Sequence, residues 1–298
     1  MVEHRPLPQT NPPAEDDRAG SGPWTVLGRR VAVPVEVRRA AQWSVQYLVP
    51  RTAAQRIVSP TGLETTGPVP GRALVALAIC RYDDTDLDPY HEVAVSFLVR
   101  PHDSPPGASA ARRVRELATG SIGVYIHRLP VDQEFSCVAG RGIWGFPKWV
   151  ASIEIDEPTA GRPGAGTGMS ARLVDGDTHV LTLSVAAGGR LRLPSRAPPT
   201  YSFADGVLRR TTWTTAAEGA AGRIGGATLT LGDHPMAAEL RSLGLPRRAH
   251  FSSSTARMRA SFDAAEVVGT RHGQTAPHSV PIGTPGRVAD LGSPEMAD

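Results

Sequence analysis

Lysine is almost absent from this chain of 298 residues, which contains only Lys148 beside 31 arginines. Arginine stays protonated in proteins, whereas a desolvated lysine can lose its proton and act as a nucleophile or a base. Aromatic residues make up 5% of the chain, yet Trp144, Phe146 and Trp149 all lie close to the lysine in sequence. This neighbourhood favours a reactive amine that forms Schiff bases. The alternative is a surface lysine that survives by chance in an arginine-rich sequence.

Cysteine is also scarce, and the familiar catalytic motifs are missing. Cys80 and Cys137 lie in apolar runs and belong to no CxxC motif or Cys/His cluster, so we expect two buried free thiols and no zinc site. The nine histidines show no HExxH spacing, and neither a phosphate-binding P-loop nor a GxSxG elbow occurs. The sequence therefore gives no support for a metal site, a nucleotide site or a serine hydrolase.

Long apolar runs and blocks of like charge are absent as well. No stretch approaches the roughly 20 apolar residues that cross a bilayer, and residues 1–20 lack the apolar core of a signal peptide. The net charge is +3, but no block of five or six like charges provides the usual footprint of nucleic-acid binding. We therefore expect a cytoplasmic protein that binds neither membranes nor nucleic acid.

The 31 glycines and 27 prolines divide the chain into short segments, typical of a loop-rich protein of short strands. Residues 1–28 and 269–298 have the composition of disordered segments, and residues 29–268 are predicted to form one domain. Apolar and β-branched runs predict strands at 31–37, 42–49, 73–82, 92–99, 122–127, 135–139, 150–155, 169–174, 179–186 and 227–231. Helices are predicted only at 52–58, 108–117 and 236–243. Consecutive strands with few helices indicate an α+β fold, mostly antiparallel β, of barrel or sandwich type.

Several charged residues could cooperate with the lysine. Glu92 opens an apolar strand, where it could move a proton or orient the amine, although strand-end carboxylates are mostly solvated. His127 could be catalytic or a satisfied structural histidine. Arg141 precedes the lysine segment and could bind a carboxylate through two hydrogen bonds. Each of these signals is weak alone.

Together, the residues around the lysine form a recognisable signature. The segment Tyr125-x-His127 … Asp132-x-Glu134 … Gly140-Arg141-x-Ile143-Trp144-Gly145-Phe146-Pro147-Lys148 resembles the active-site region of the acetoacetate decarboxylase superfamily, in a form similar to actinobacterial members. Tyr90-His91-Glu92 is similar to the family's catalytic glutamate motif. The 232–236 segment and Ser252–Ser254 look like its C-terminal region, so the resemblance spans roughly residues 30–268.

The resemblance implies a cone-like double-sheet barrel, usually a homo-oligomer, with the lysine in a closed apolar cavity. It also implies that Lys148 attacks a keto acid and that the resulting iminium ion accepts electrons from a breaking carbon–carbon bond, with no cofactor. Glu92 would handle protons, while Arg141, His127, Trp144, Phe146 and Trp149 would bind substrate or surround the lysine.

Two positions depart from the family pattern. Trp149 stands where the decarboxylases have a second lysine, so desolvation must favour the neutral form of Lys148. The strand at 73–82 carries no carboxylate around Leu77 and Ala78, where the family has a glutamate. Decarboxylation of a β-keto acid is the default hypothesis. Aldol chemistry, dehydration or cyclisation of an α-keto acid is the alternative, followed by a non-catalytic ligand-binding protein.

Overall fold

The computed structural model describes residues 23–100, 116, 122–156, 168–192 and 197–270. Within these ranges the helices are α1 (Arg51–Val58), α2 (Glu134–Trp144) and α3 (Pro235–Ser242), and Ser59–Thr61 form a short 3-10 helix. The strands are β1 (Trp24–Val26), β2 (Arg29–Val31), β3 (Val35–Pro50), β4 (Arg72–Thr85), β5 (Tyr90–Val99), β6 (Gly123–Val131), β7 (Lys148–Val150), β8 (Ser152–Asp156), β9 (Gly168–Asp175), β10 (Thr178–Ala186), β11 (Leu191–Arg192), β12 (Thr200–Ala204), β13 (Val207–Thr211), β14 (Trp213–Glu218), β15 (Ala221–Arg223), β16 (Ala227–Leu231), β17 (Phe251–Phe262) and β18 (Glu266–Thr270).

A large, mostly antiparallel sheet organises the domain. Its twelve strands run in the order β11-β15-β17-β3-β4-β5-β6-β12-β13-β18, with β14 pairing with β17 and β7 pairing with β6. The pairs β6–β12 and β6–β7 are parallel. A second sheet has the order β16-β10-β9-β8, and β1 pairs with β2. The mostly antiparallel α+β fold is confirmed. Among the described strands, however, the end strands β11 and β18 do not pair, so the sheet is not a closed barrel.

Strand periodicity gives the large sheet two different faces. Along β3, every second residue from Ala41 to Val49 is buried and the residues between them are partly exposed. Since successive side chains point to opposite faces of a sheet, one face packs against the four-stranded sheet and α3 to form the larger core. The opposite face, with α2, forms a second apolar cluster around Tyr90 and Trp144. The candidate site lies on this second face.

The predicted strand at 135–139 is wrong, because these residues belong to helix α2. The Gln133 side chain caps the first turn by accepting a hydrogen bond from the Ser136 N–H, and Gly145 ends the helix at a φ of 64°. Phe135, Ala139 and Ile143 are buried at a spacing of four residues, which is helical periodicity. In a short apolar run this pattern is hard to tell from a buried strand.

Most other predicted elements are found, with different bounds. The strands predicted at 31–37 and 42–49 are largely one long strand, β3, and the helices predicted at 52–58 and 236–243 correspond to α1 and α3. Trp24–Val26 is a strand within the segment predicted to be disordered. The helix predicted at 108–117 lies outside the described residues except for Glu116. Within the described ranges, no helix has the length and apolar character to span a membrane.

Candidate active site

Lys148 is buried at the start of β7, directly after the turn that follows α2. Its side chain is 3% exposed and packs beside Gly140 of α2, where a β-carbon would lie 2.6 Å from lysine Cδ. The backbone turns sharply at Gly145, in the left-handed region, and β7 then runs parallel to β6 with Lys148 opposite Leu129. The glycines and proline of the Gly140–Lys148 segment thus bring the amine back towards the middle of the large sheet.

Glu92 is the partner of the lysine. Lys148 Nζ lies 2.9 Å from Glu92 Oε2, and the glutamate side chain is only 9% exposed. Glu92 projects from β5 towards the second face, because it belongs to the same alternating set as Tyr90 and Ala94. A buried amine is therefore in direct contact with a buried carboxylate, which is the pair needed for a nucleophile with an adjacent proton carrier.

Two stacked tyrosines complete the surroundings of this pair. The rings of Tyr82 and Tyr90 are 4.4 Å apart, and Lys148 Nζ lies 4.8 Å from the centre of the Tyr90 ring. The Tyr82 hydroxyl donates a long hydrogen bond of 3.5 Å to Glu92 Oε1. The aromatic ring over the amine is thus Tyr90, which also favours a positively charged group such as an ammonium or an iminium ion.

A cavity of about 390 Å³ opens beside Lys148 and Glu92. Trp144, Phe146, Leu129 and Trp213 provide much of its apolar wall, and β3 and β17 contribute polar side chains. Lys148 and Glu92 are the only charged side chains among the described residues that line the cavity. This volume lies within the usual range for sites that bind small molecules.

The other titratable groups of the cavity remain neutral near neutral pH. Burial, and then the nearby charge of Glu92, raise the pKa of Tyr82 and of Tyr90 well above the usual phenol value. Burial, and then Glu92, also raise the pKa of the Cys80 thiol to about 12. Cys80 is therefore a poor nucleophile.

These residues lie within a segment that matches a known family. Residues 28–270 match the family described as acetoacetate decarboxylase (ADC). The chain belongs to the acetoacetate decarboxylase family. No curated protein sequence matches it.

Solved structures of acetoacetate decarboxylase-like proteins share the fold at low sequence identity. The acetoacetate decarboxylase from Legionella pneumophila has 17% identity and a TM-score of 0.62, over 82% of this chain and 90% of that one. The enduracididine biosynthesis enzyme MppR, complexed with pyruvate, has 17% identity and a TM-score of 0.61, over 84% and 99%. An acetoacetate decarboxylase-like enzyme from Sphingomonas wittichii RW1 has 14% identity and a TM-score of 0.58, over 81% and 95%.

Within this family fold, the candidate residues from the sequence take different places. Lys148, Glu92, Trp144 and Phe146 come together at the cavity. Trp149 follows the lysine in β7 and therefore points to the opposite face, where it packs against the larger core.

His127 and Arg141 also lie away from the cavity wall. His127 Nε2 is 2.7 Å from Glu239 Oε1 of α3, and the His127 ring contacts Phe97 in the larger core. Arg141 is exposed on α2 and is not among the residues that line the cavity. In place of Trp149, the second face contributes Tyr82 and Tyr90, which sequence reasoning does not assign to the site.

The stretch of β4 around Leu77 and Ala78, where the family resemblance implies a second glutamate, contributes Ala78 to the cavity wall. Ala78 of β4 lies opposite Ala94 of β5 and lines the cavity one alternation away from Glu92. Strand alternation is the sequence pattern that could have indicated Tyr82, because Tyr82, Cys80 and Ala78 share one face of β4. The pairing of β4 with β5, which places that face beside Glu92, depends on long-range register.

Proposed function

We propose that this protein is a Schiff-base-forming carbon–carbon lyase that acts on a keto acid through Lys148. The observation that carries the proposal is the buried contact of 2.9 Å between Lys148 Nζ and Glu92 Oε2 at the wall of a cavity. Membership of the acetoacetate decarboxylase family supports a lyase. Acetoacetate decarboxylase is itself a known example of an enzyme whose lysine is activated by desolvation or by a neighbouring cation.

The pair can begin the reaction by moving one proton. Transfer from the ammonium of Lys148 to the carboxylate of Glu92 leaves a neutral amine and a carboxylic acid, two uncharged groups that suit the buried positions of these side chains. The amine then attacks the ketone carbon, and loss of water gives an iminium ion. This cation accepts the electron pair of the breaking carbon–carbon bond, so carbon dioxide leaves and an enamine remains. Loss of water has used the proton of Glu92, so Glu92 takes up a proton from solvent and passes it to the enamine carbon. Hydrolysis of the resulting iminium ion releases the product and restores the ammonium of Lys148.

Decarboxylation of a β-keto acid fits the charges of the cavity. An α-keto acid that keeps its carboxylate would need a cationic partner for that group, and the described cavity wall offers no cation besides Lys148. A carboxylate that leaves as carbon dioxide needs no such partner in the product. We therefore place decarboxylation first.

Aldol addition, dehydration or cyclisation by the same iminium chemistry is the second candidate. The observation in its favour is that β4 has no carboxylate around Leu77 and Ala78, where the family resemblance implies a glutamate, and that Ala78 lines the cavity. The shared fold of MppR, solved with pyruvate, is consistent with keto-acid chemistry of this kind in the same architecture. Release of carbon dioxide from acetoacetate or a longer 3-oxo acid distinguishes the two candidates.

Borohydride trapping tests whether Lys148 forms a Schiff base, which both candidate reactions require. The protein is incubated with a panel of keto acids, reduced, digested and analysed by mass spectrometry. We expect a reduced adduct on the peptide that contains Lys148, the only lysine of the chain, and none in Lys148→Arg. Absence of an adduct on Lys148 with every keto acid overturns the enzymatic proposal. Unchanged ligand affinity in Lys148→Arg would then identify a binding protein.

Glu92→Gln separates proton transfer from imine formation. The amide keeps the shape of the side chain but cannot carry the proton, so we expect turnover to fall by about 10²–10⁴-fold. Adduct formation on Lys148 should persist at long incubation times. Turnover at the wild-type rate would remove Glu92 from the mechanism.

The family resemblance also predicts a homo-oligomer, which light scattering measures directly.

A further inference from the structure

The cavity continues along the large sheet beyond the lysine, past a row of small side chains. In the register of β3, β4 and β5, the row next to that of Glu92 and Cys80 on the cavity face consists of Ser44, Ala78 and Ala94. Strand geometry places this row about 7 Å further along the strands. Because these three side chains are small, the space between the lysine and the distal part of the cavity stays open.

Uncharged polar groups line this distal part. Ser44 Oγ of β3 and Ser253 Oγ of β17 are 2.8 Å apart, and Gln46 Nε2 donates to Ser44 Oγ at 2.8 Å. Together, Ser44, Gln46 and Ser253 form the serine–glutamine cluster, and all three line the cavity. Two serine hydroxyls that pair with each other use one of their two O–H donors, which leaves the second available. Gln46 Oε1 is buried and has no hydrogen-bond partner in the described structure.

Buried polar groups with spare hydrogen-bonding capacity normally have a partner. The cluster lies on β3 and β17, two and three strands away from β5, so its distance from Glu92 is on the order of 10–15 Å. A four-carbon keto acid bound to Lys148 cannot extend that far. A longer substrate could place a polar end there.

We propose that the serine–glutamine cluster is a subsite for an uncharged hydrogen-bonding group, a hydroxyl or an amide, at the distal end of a keto acid longer than acetoacetate. This inference rests on the proposed function, because it assumes that the reacting carbonyl sits at Lys148. The cluster carries no positive charge, so a second carboxylate would be buried there without a partner. A terminal methyl group would leave the polar cluster unsatisfied.

Chain-matched 3-oxo acids of increasing length that end in a hydroxyl, a methyl group or a carboxylate test the subsite. We expect the hydroxyl-ended acids to have the highest kcat/KM for carbon dioxide release. Ser44→Ala and Ser253→Ala should lower this value roughly 5–10-fold for hydroxyl-ended acids and should not lower that of methyl-ended acids. Ser44→Thr, which keeps a hydroxyl, should restore most of the preference.

A second serine pair provides the matched control. Ser170 and Ser184 also place their Oγ atoms 2.8 Å apart across two strands, but outside the cavity, so Ser170→Ala should leave every kcat/KM unchanged. Equal kcat/KM for hydroxyl-ended and methyl-ended acids, or an equal loss for both in Ser44→Ala, overturns the subsite. If no keto acid forms an adduct on Lys148, the proposed function fails separately. Calorimetric affinities of hydroxyl-ended and methyl-ended ketones in the same variants then decide the subsite.

Discussion

Gly140 controls where the aliphatic part of Lys148 can lie. A β-carbon at residue 140 would be 2.6 Å from Cδ and 2.7 Å from Cε of the lysine, closer than side-chain carbons approach one another. We expect Gly140→Ala to fold, because the displaced atoms belong to a flexible side chain. Displacement of the amine by about 1 Å should lower kcat roughly 100-fold. Carbon dioxide release measures kcat, and the rate of borohydride trapping measures adduct formation on Lys148.

Gly142 of the same helix supplies the control. Apart from its chain neighbours and the backbone of its own helix, no atom of the described residues lies within 4 Å of a β-carbon built at this exposed position. Gly142→Ala should leave the trapping rate unchanged and raise the free energy of unfolding by about 0.5–1 kcal/mol, since alanine favours helices over glycine. Similar losses of activity in both variants would show that helix α2, rather than contact with the lysine, is responsible.

Helix α3 is held to β6 by a buried ionic cluster, which makes its attachment sensitive to acid. Glu239 of α3 accepts hydrogen bonds from His127 and Arg128 of β6. Burial alone would raise the pKa of Glu239, but the hydrogen bonds and charges of His127 and Arg128 lower it to about 2 from 4.5. Because folding lowers this pKa, the stabilisation is complete above about pH 4.5 and is lost as the pH falls towards 2.

We therefore expect the wild-type free energy of unfolding to fall by up to about 3 kcal/mol between pH 5 and pH 2 through this group. Glu239→Gln should be less stable than wild type at neutral pH, and the difference should shrink over the same interval. Urea unfolding at a series of pH values measures both. Glu154→Gln serves as the control, because Glu154 forms an exposed pair with Arg172. A pH dependence of Glu239→Gln that parallels wild type would contradict this role.

Local sequence patterns predict β3 to β10, β16 and two helices, but they miss the strands between Leu191 and Arg223 and the long strand β17. They also do not determine which strands pair or which face each side chain occupies. Residues 135–139 resemble a strand because a five-residue apolar run shows too little periodicity. The caps at Gln133 and Gly145, together with the buried spacing that continues to Ile143, identify the helix. Trp149 is expected beside the lysine because it is adjacent in sequence. Adjacent strand residues point to opposite faces, so proximity in sequence is misleading there.

The part of the site that lies in short sequence motifs could be predicted. The Gly140–Lys148 segment and Glu92 are hypotheses from the family resemblance, and the structure brings the two side chains into contact. The polar wall could not be predicted, because Ser44 and Ser253 are distant in sequence and meet through the register of β3 with β17. That register is a property of the complete sheet.

The two faces of the large sheet have different roles: one packs in the larger core, and the other lines the cavity. Tryptophans lie on both faces. Trp144 and Trp213 line the cavity, and Trp213 stacks on Phe262 at 5.1 Å. Trp149 packs against the larger core.

A ligand in the cavity displaces water and contacts Trp144 and Trp213 but not Trp149, so binding should change the tryptophan emission. Trp213→Phe should remove much of that change, whereas Trp149→Phe should retain it and lower the free energy of unfolding. Fluorescence titration with a keto acid that forms the Lys148 adduct provides the measurement. A signal lost in Trp149→Phe and kept in Trp213→Phe would mean that the ligand binds on the other face of the sheet.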